Sequence, residues 1–461
     1  MQVFFSCFEF GAITLKNVLI LGAGISGLGA AHVLIRHGCS VIVSDLKDKI
    51  KDLKEKETLQ SLGVVFEFGE QSSVLLDGID TVVVSPVIPA ENPVVAEALG
   101  RGIPVISEVE LAYRMTKAPI LAITGTNGKT TTTTLLGSMI SQSQKPFALA
   151  GNLGISLSRE AELVPENGLI AAEVSSFQLE FISTFRPKAA VILNITPDHI
   201  ERHHTMERYV ATKARIFENM AEGDCLLLNS EDPYTPGLAK LAKTEVCYLS
   251  TLQEVNEGAC LIDKELVIKR KGNRIKLGHI NELQLKGRQN YEDVLAAAFL
   301  AYEGGVPIDS IRKAMIDFKG LPHRIEFVRK LNGVSYYNDS KATNTDAAIK
   351  GLEAFEQPIL LIAGGYDKGT DLTDFMITSK KHVKHLILIG EASSRFKAAA
   401  ENAGIASIIL AKDMEAAVKK GHELAVEGDI VLLSPACSSF DMYGSYEERG
   451  MDFKKKVNGL K

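Results

Sequence analysis

The residues able to do chemistry gather around two glycine-rich loops. Thr124-Gly125-Thr126-Asn127-Gly128-Lys129-Thr130 joins an apolar run to a helical stretch. With Ile at position 123, it is shorter than the G-x-x-x-x-G-K-[ST] phosphate loop. The working parts remain: Gly125, Thr126, Asn127 and Gly128 offer backbone amides to phosphates, Lys129 is placed to reach the terminal phosphates, and the Thr130 hydroxyl can ligate Mg²⁺. Thr131 opens a β-branched run to Thr134, poor helix material that points to local function or packing. The other loop, Gly22-Ala23-Gly24-Ile25-Ser26-Gly27, is a full G-x-G-x-x-G between strand-like and helical runs, with Asp45 ending the next apolar run. Its glycines admit a diphosphate to backbone amides at a helix start. Alone, that loop fits a nicotinamide oxidoreductase as well as a nucleotide-substrate domain. Together the two loops imply two nucleotides in two domains.

Beyond the second loop, Glu173 closes the apolar run Leu169-Ile170-Ala171-Ala172. A carboxylate at the exit of a parallel strand, beside a phosphate loop, is where a Mg²⁺ ligand belongs. The run Ala190–Asn194 leads into Ile195-Thr196-Pro197-Asp198-His199, which puts Asp198 and His199 at the same sheet edge. Met206, Val210, Ala214, Phe217 and Met220 recur at helical spacing, and Lys213 falls on their stripe. Lys213 is either a lysine that snorkels its ammonium into water or an uncharged or modified amine buried near the metal.

The elements that must position these groups are legible as short Val/Ile/Leu runs alternating with longer amphipathic stretches, the pattern of βαβ units. A first series comprises Val18–Leu21, Val41–Ser44 and Thr81–Ser85, and a second Ile120–Thr124, Leu169–Val174, Ala190–Asn194 and Leu226–Asn229. After Gly320-Leu321-Pro322 come Val334–Asn338, Ile359–Ala363, Leu386–Ile389 and Ile430–Ser434. At 461 residues the chain exceeds one core, and three domains are expected, 1–108, 109–319 and 320–461. No period suggests a solenoid. A net charge of −6 without a basic cluster excludes a nucleic-acid partner, and the mixed-sign stretch Lys47 to Glu57 reads as a solvated face. The six cysteines form no C-x-x-C, which fits a reducing compartment without a thiolate metal site. No apolar run reaches the roughly 18 residues of a membrane span. Met1 to Phe10 lacks a basic n-region and carries Glu9, so it does not read as a signal peptide. The expected compartment is the cytoplasm.

On Gly125–Thr131, Ala150-Gly151-Asn152-Leu153-Gly154, Glu173–Glu180 and Asn194–His199, the chain resembles the Mur ligases of peptidoglycan synthesis over nearly its whole length. Ser85-Pro86, Gly320–Arg324, Asn338–Asn344 and Ser434–Asp441 look like the members that add D-glutamate. The resemblance implies an α/β fold of three domains: a Rossmann-like N-terminal domain for the UDP-substrate, a central P-loop ATPase-type domain, and a Rossmann-like C-terminal domain for the amino acid. It also implies an activity, in which ATP phosphorylates the carboxylate of UDP-N-acetylmuramoyl-L-alanine and the amine of D-glutamate attacks the acyl phosphate. The implied catalytic set is Lys129, Glu173, His199 and Lys213. Thr130 and Glu173 would hold one Mg²⁺, and His199 with a carbamylated Lys213 a second. Carbamylation would replace a repelled ammonium by an anionic oxygen ligand. Residues 125–131, with Asn290, Arg324, Asp339 and Lys341, would bind ATP. Gly24, Ser26, Asp45, Leu46, Asn152 and Ser175 would bind the UDP-substrate. Thr343, Lys368, Ser439, Phe440 and Tyr446 would form the D-glutamate pocket, with a monomeric enzyme as the expected state. Three positions depart from the family pattern: Asp293 stands where Asn is common, Leu46 where a hydroxyl would help read uracil, and Tyr446 where Phe is familiar. The rival is a sister ligase, including a folylpolyglutamate-type one. The Asp-Asn-Pro-Arg motif of the diamino-acid-adding members is absent from the sequence, which favours D-glutamate.

Overall fold

The computed structural model describes residues 9–10, 13–47, 50, 53–285 and 287–461. Most of Met1 to Phe10, and positions 48, 49, 51 and 52 of the charged stretch, lie outside the described residues. The chain forms two compact units. One runs up to Leu283 and includes Glu292–Asp317; the other comprises Gln284–Tyr291 and Phe318–Lys461.

The first unit carries two large sheets, besides the short antiparallel pair Glu9–Phe10 with Ile13–Thr14. The N-terminal one is all parallel, in the spatial order Val65–Phe68, Ser40–Asp45, Asn17–Leu21, Thr81–Val84, Val105–Ser107. Alternation along Asn17–Leu21 sends Val18 and Ile20 into one core and Leu19 and Leu21 into another, so the sheet is buried on both faces. The central sheet has nine strands, ordered Asn273–His279, Glu265–Arg270, Gly258–Ile262, Glu245–Ser250, Cys225–Asn229, Ala189–Ile192, Ile120–Thr124, Leu169–Glu173, Phe147–Gly151. All pairings are parallel except those that add Glu265–Arg270 and Asn273–His279 at one edge. This antiparallel extension was not foreseen, because Glu265–Arg270 offers only the short apolar run Leu266 to Ile268 and Asn273–His279 is largely polar and exposed.

The two sheets are joined through the helix Glu108–Met115. Buried Glu110 accepts the backbone N–H groups of Ser183 (2.9 Å), Thr184 (3.0 Å) and Phe185 (2.8 Å), with Arg114 at 2.7 Å. Burial alone would raise its pKa, but these donors outweigh burial and hold the carboxyl below its usual range. Two residues earlier, Glu108 Oε1 takes Ser158 N at 2.6 Å and the hydroxyls of Ser156 and Ser158 at 2.7 Å. Arg202 makes a further joint, donating to the carbonyls of Val87 (3.3 Å) and Ile88 (2.9 Å) while paired with Glu180.

The second unit holds a six-stranded sheet, ordered Glu326–Leu331, Val334–Asn338, Ile430–Leu433, Ile359–Gly364, Val383–Ile389, Ile408–Leu410, parallel but for the first pair. The threonine run lies inside the helix Lys129–Gln142, as the strand-loop-helix reading expects, because its hydroxyls find acceptors: Thr133 on Lys129 O at 2.7 Å and Thr132 on Asp293 Oδ1 at 3.2 Å. One expectation needs adjustment. The helix bearing Lys213 stops at Ala214 and tightens into a 3₁₀ turn, Arg215–Phe217, where Arg215 donates to Leu179 O and Ile182 O.

Every described cysteine is buried, and the sulfurs of Cys225 and Cys247 lie 3.5 Å apart. Glu245, Cys247 and Glu257 approach one another, but Arg270 sits among the carboxylates, bonded to Glu245, Glu257 and Glu303. The cluster is therefore an ion-pair network around a buried guanidinium. No helix among the described residues is long and apolar enough to cross a membrane.

Candidate active site

The strand Ile120–Thr124 is fully buried and delivers the chain into the loop Gly125–Gly128, after which Lys129 opens its helix. Asn194 shapes this loop: its Oδ1 accepts Asn127 N at 2.8 Å, its Nδ2 donates to Asn127 O at 3.1 Å, and its carbonyl accepts Thr126 N at 2.8 Å. Thr126 Oγ1 meets Thr196 O, Thr196 N and the Tyr209 hydroxyl at 3.0–3.1 Å. The loop is thus braced by the segment that leaves the adjacent strand Ala189–Ile192. Within it, Lys129 Nζ donates to Gly125 O (2.9 Å) and Thr126 O (2.8 Å). Thr130 follows, half-buried, and Thr131 is buried.

Lys213 comes to the same carbonyl. Its Nζ donates to Gly125 O at 2.8 Å and lies 4.6 Å from the Tyr209 ring centre, with the residue only 2% exposed. Snorkelling is excluded. Burial, and then the charge of Lys129, hold its pKa well below the ordinary amine range, against an opposing pull from Asp198.

Glu173 ends the strand beside Ile120–Thr124, in register with Ile123. Its Oε1 accepts Asn152 Nδ2 at 2.8 Å, whereas the buried Oε2 has no hydrogen-bond partner among the described residues. A buried carboxylate oxygen left in that state costs free energy unless a ligand or cation completes it. Gly151 permits the approach of the neighbouring strand: at φ 108°, a Cβ there would stand 2.2 Å from Glu173 O. Ser175 caps the short helix Ser176–Leu179 through a reciprocal bond with Gln178.

His199 is less enclosed than its neighbours. It has φ 55°, its side chain is 46% exposed, and its ring packs 4.9 Å from that of Phe177, with Asp198 and Glu201 carboxylates at 3.6 and 3.7 Å. The buried imidazole here is His203, which was not singled out from the sequence. Its Nε2 pairs with Ser176 Oγ at 2.9 Å, and burial is the largest cause that lowers its pKa, to about 4. Tyr209, also missed, links this cluster to Thr126.

In the N-terminal sheet, the first glycine loop follows Asn17–Leu21, and Gly24 caps the helix Ile25–Arg36, in which Ser26 is half-buried. Close packing makes Gly27 obligatory, since a Cβ would lie 1.9 Å from Gly22 O. Asp45 spends Oδ2 on Ala23 N at 2.9 Å and Oδ1 on Lys47 N at 3.3 Å, while Leu46 is 64% exposed.

In the second unit, Asp339 is fully buried, accepting Ile325 N (3.2 Å) and Ser434 Oγ (2.8 Å); burial, opposed by Arg324, raises its pKa to about 6. Lys341 Nζ lies 5.8 Å from the Tyr446 ring centre, and Thr343 N donates to Lys341 O. Arg449, 1% exposed, binds these loops together through Ser340 Oγ and O, Cys437 O and Ser438 O at 2.8–3.1 Å. Burial lowers its pKa to about 10, and it too escaped sequence reading. Tyr366 N bonds Ser438 O at 3.0 Å, bringing the loop of exposed Lys368 beside buried Ser439 and 70%-exposed Phe440. Asn290 is buried within the segment Gln284–Tyr291 of the same unit. Asp293, the unusual residue of that motif, is the acceptor for Thr132.

Parallel sheets with a lysine-bearing phosphate loop at the exit of a central strand and a buried carboxylate on the next strand define a P-loop α/β protein flanked by Rossmann-like domains. The sequence matches the Mur ligase MurD-like N-terminal domain over residues 16–107, the Mur ligase middle domain over 123–301, and the Mur ligase glutamate ligase domain over 323–437. It is 44% identical over 448 residues to the UDP-N-acetylmuramoylalanine--D-glutamate ligase of Caldanaerobacter subterraneus subsp. tengcongensis, covering 97% of this chain and 99% of that one. The ligase of the same name from Thermoanaerobacter pseudethanolicus is also 44% identical, with the same coverage. A pseudomurein peptide ligase type C from Methanothermus fervidus shares the fold, with a TM-score of 0.60 at 18% identity over 97% of this chain and 100% of that one. The chain belongs to the Mur ligase family.

Proposed function

We propose that the chain joins D-glutamate to UDP-N-acetylmuramoyl-L-alanine, with ATP cleaved to ADP and phosphate, in peptidoglycan precursor synthesis. The observation that carries this reading is the near-full-length identity to ligases named for that reaction.

The reaction brings a phosphate anion to a carboxylate anion, so neutralising charge is the main demand on the site. In this reading Lys129 holds the migrating phosphoryl group, and the amides of residues 125–131 cradle its neighbours. Asn290, Arg324, Asp339 and Lys341 contribute the remaining ATP contacts. The acceptor carboxylate becomes an acyl phosphate, and the neutral amine of D-glutamate attacks it to form the amide and release phosphate. Mg²⁺ would be held by Thr130 and Glu173, and a second by His199 and carbamylated Lys213. When bound, the ions screen the phosphates from the carboxylate. The unpartnered Oε2 of Glu173 fits the first site. For the second, the depressed pKa of Lys213 favours the free amine, the form that attacks CO₂ to give a carbamate and a proton.

Gly24, Ser26, Asp45 and Leu46 bind the UDP end of the substrate, and Asn152 and Ser175 its muramoyl part. Since both Asp45 oxygens already accept backbone N–H groups, that carboxylate contributes as an acceptor fixed in place. Thr343, Lys368, Ser439, Phe440 and Tyr446 form the amino-acid pocket, where exposed Lys368 pairs with a carboxylate of D-glutamate. Residues 1–108, 109–319 and 320–461 then serve as UDP-substrate, ATP and amino-acid domains of a monomeric cytoplasmic enzyme.

A screen of amino acids against UDP-muramoyl acceptors, with mass detection of the product, tests this. A product with D-glutamate, formed together with ADP and phosphate, is expected. Ligation of another amino acid in preference would assign the chain to a sister activity.

A further inference from the structure

We propose a second ligand site at the entry edge of the central sheet, a cleft that takes a small phosphomonoester with an aromatic body. The cleft has a volume of about 650 Å³ and opens between the end of the helix Glu108–Met115 and the segment leading into Ala189–Ile192. That volume lies within the roughly 300–1,000 Å³ of small-molecule sites. Among its lining residues are Ala118, Pro119 and Ile120, where the strand Ile120–Thr124 enters the sheet. The phosphate loop follows the opposite end of the same strand, so the cleft is separate from the site described above.

Its charge is unbalanced toward cations. Arg114, Lys117, Arg186 and Lys188 line it, against the carboxylates of Glu166 and Asp224. Asp224 serves two of them, accepting Arg186 Nε at 2.6 Å and standing 3.9 Å from Lys188 Nζ. Arg114 is matched from behind by Glu110. Glu166 is exposed at the rim, as Lys117 is, so these two offset one another and the excess comes from the arginines and Lys188. Lys117 is exposed without a protein acceptor among the described residues, and Arg186 uses only Nε on protein, so an ammonium and two Nη groups remain as donors. An anion with several oxygens matches that set, and guanidinium with ammonium is the donor pair suited to phosphate.

The apolar half of the cleft comes from Tyr113, whose ring packs edge-on against Phe185 at 5.9 Å, and from Pro119. Both are fixed before any ligand arrives, which lowers the entropic cost of binding.

Phenyl phosphate is the probe, titrated calorimetrically at low salt into the full chain carrying Lys129→Ala, so that the phosphate loop does not compete. Saturable one-to-one binding is expected, at least tenfold weaker on adding Lys117→Glu and again on adding Arg186→Gln, with phenol alone giving no saturation. Lys117 is exposed, so its variant decides the matter even where the Arg186 variant folds poorly. No saturable binding to the Lys129→Ala chain, or equal affinity with and without Lys117→Glu, would overturn the proposal.

Discussion

Lys213 concentrates the chemistry at the scale of single residues. A fully buried amine facing Lys129 has two stable outcomes, loss of its proton or conversion to an anion. If the carbamate is the working form, Lys213→Ala should fold normally but release ADP at a rate lower by about a thousandfold, the scale of losing a major electrostatic stabiliser. Acetate should restore part of that rate, and amines or guanidine should not; rescue by amines in place of acetate would show that the residue acts as a cation. A second expectation concerns His203. Its unfolded imidazole protonates near pH 6.5, the folded one only near 4, so the unfolded state holds more protons in that window. Stability should therefore fall as the pH drops from about 6.5 to 4. His203→Gln, which keeps a partner for Ser176, should flatten that part of the profile in urea denaturation. Neither His203 nor Tyr209 was legible in the sequence, since each has a partner far along the chain, Ser176 in one case and Thr126 in the other. His199 was legible as a strand-end residue, but its exposure was not.

Among the elements, the parallel strands were the most readable, because burial on both faces writes an unbroken apolar run into the sequence. Ile120–Thr124 and Leu169–Glu173 are where the pattern placed them, with Glu173 at the exit. Edge strands such as Val65–Phe68 and Asn273–His279 are partly polar and went unread. The loop after a strand is harder still, since its shape depends on what braces it. Asn194 is the brace here, meeting both polar groups of the Asn127 backbone. Asn194→Ala should remove these two bonds, at a cost of roughly 1 kcal/mol each. We expect a higher KM for ATP and a lower melting temperature. An unchanged ATP KM in steady-state assays would mean that the loop keeps its shape without this side chain.

For the molecule as a whole, the joint between the first two sheets was invisible in sequence: Glu108 and Glu110 look like ordinary acids at a helix start, yet both are buried in nests of donors. Sequence reading placed a boundary near residue 108 without foreseeing that the next turn fastens the two sheets together. Arg202 ties residues 87 and 88 of the N-terminal part to the central part. Arg202→Ala should loosen that loop, seen as faster proteolytic nicking near residues 86–91. It should also raise the KM for the UDP-substrate more than that for ATP, because the glycine loop proposed to hold UDP lies on the N-terminal side. Equal changes in both constants would remove Arg202 from substrate positioning.

The acceptors chosen by these buried and half-buried cations have an evolutionary corollary. Arg202 is held by Val87 O and Ile88 O, Arg215 by Leu179 O and Ile182 O, and Arg449 by Cys437 O and Ser438 O. A main-chain carbonyl is present whatever the side chain, so such a contact depends on the identity of only one partner. Saturation mutagenesis under selection should register that asymmetry as sharp intolerance at the three arginines and wider latitude at several of the positions that receive them. Sequences can therefore drift on the receiving side without any compensating change, leaving no covariation between partners to betray the contact.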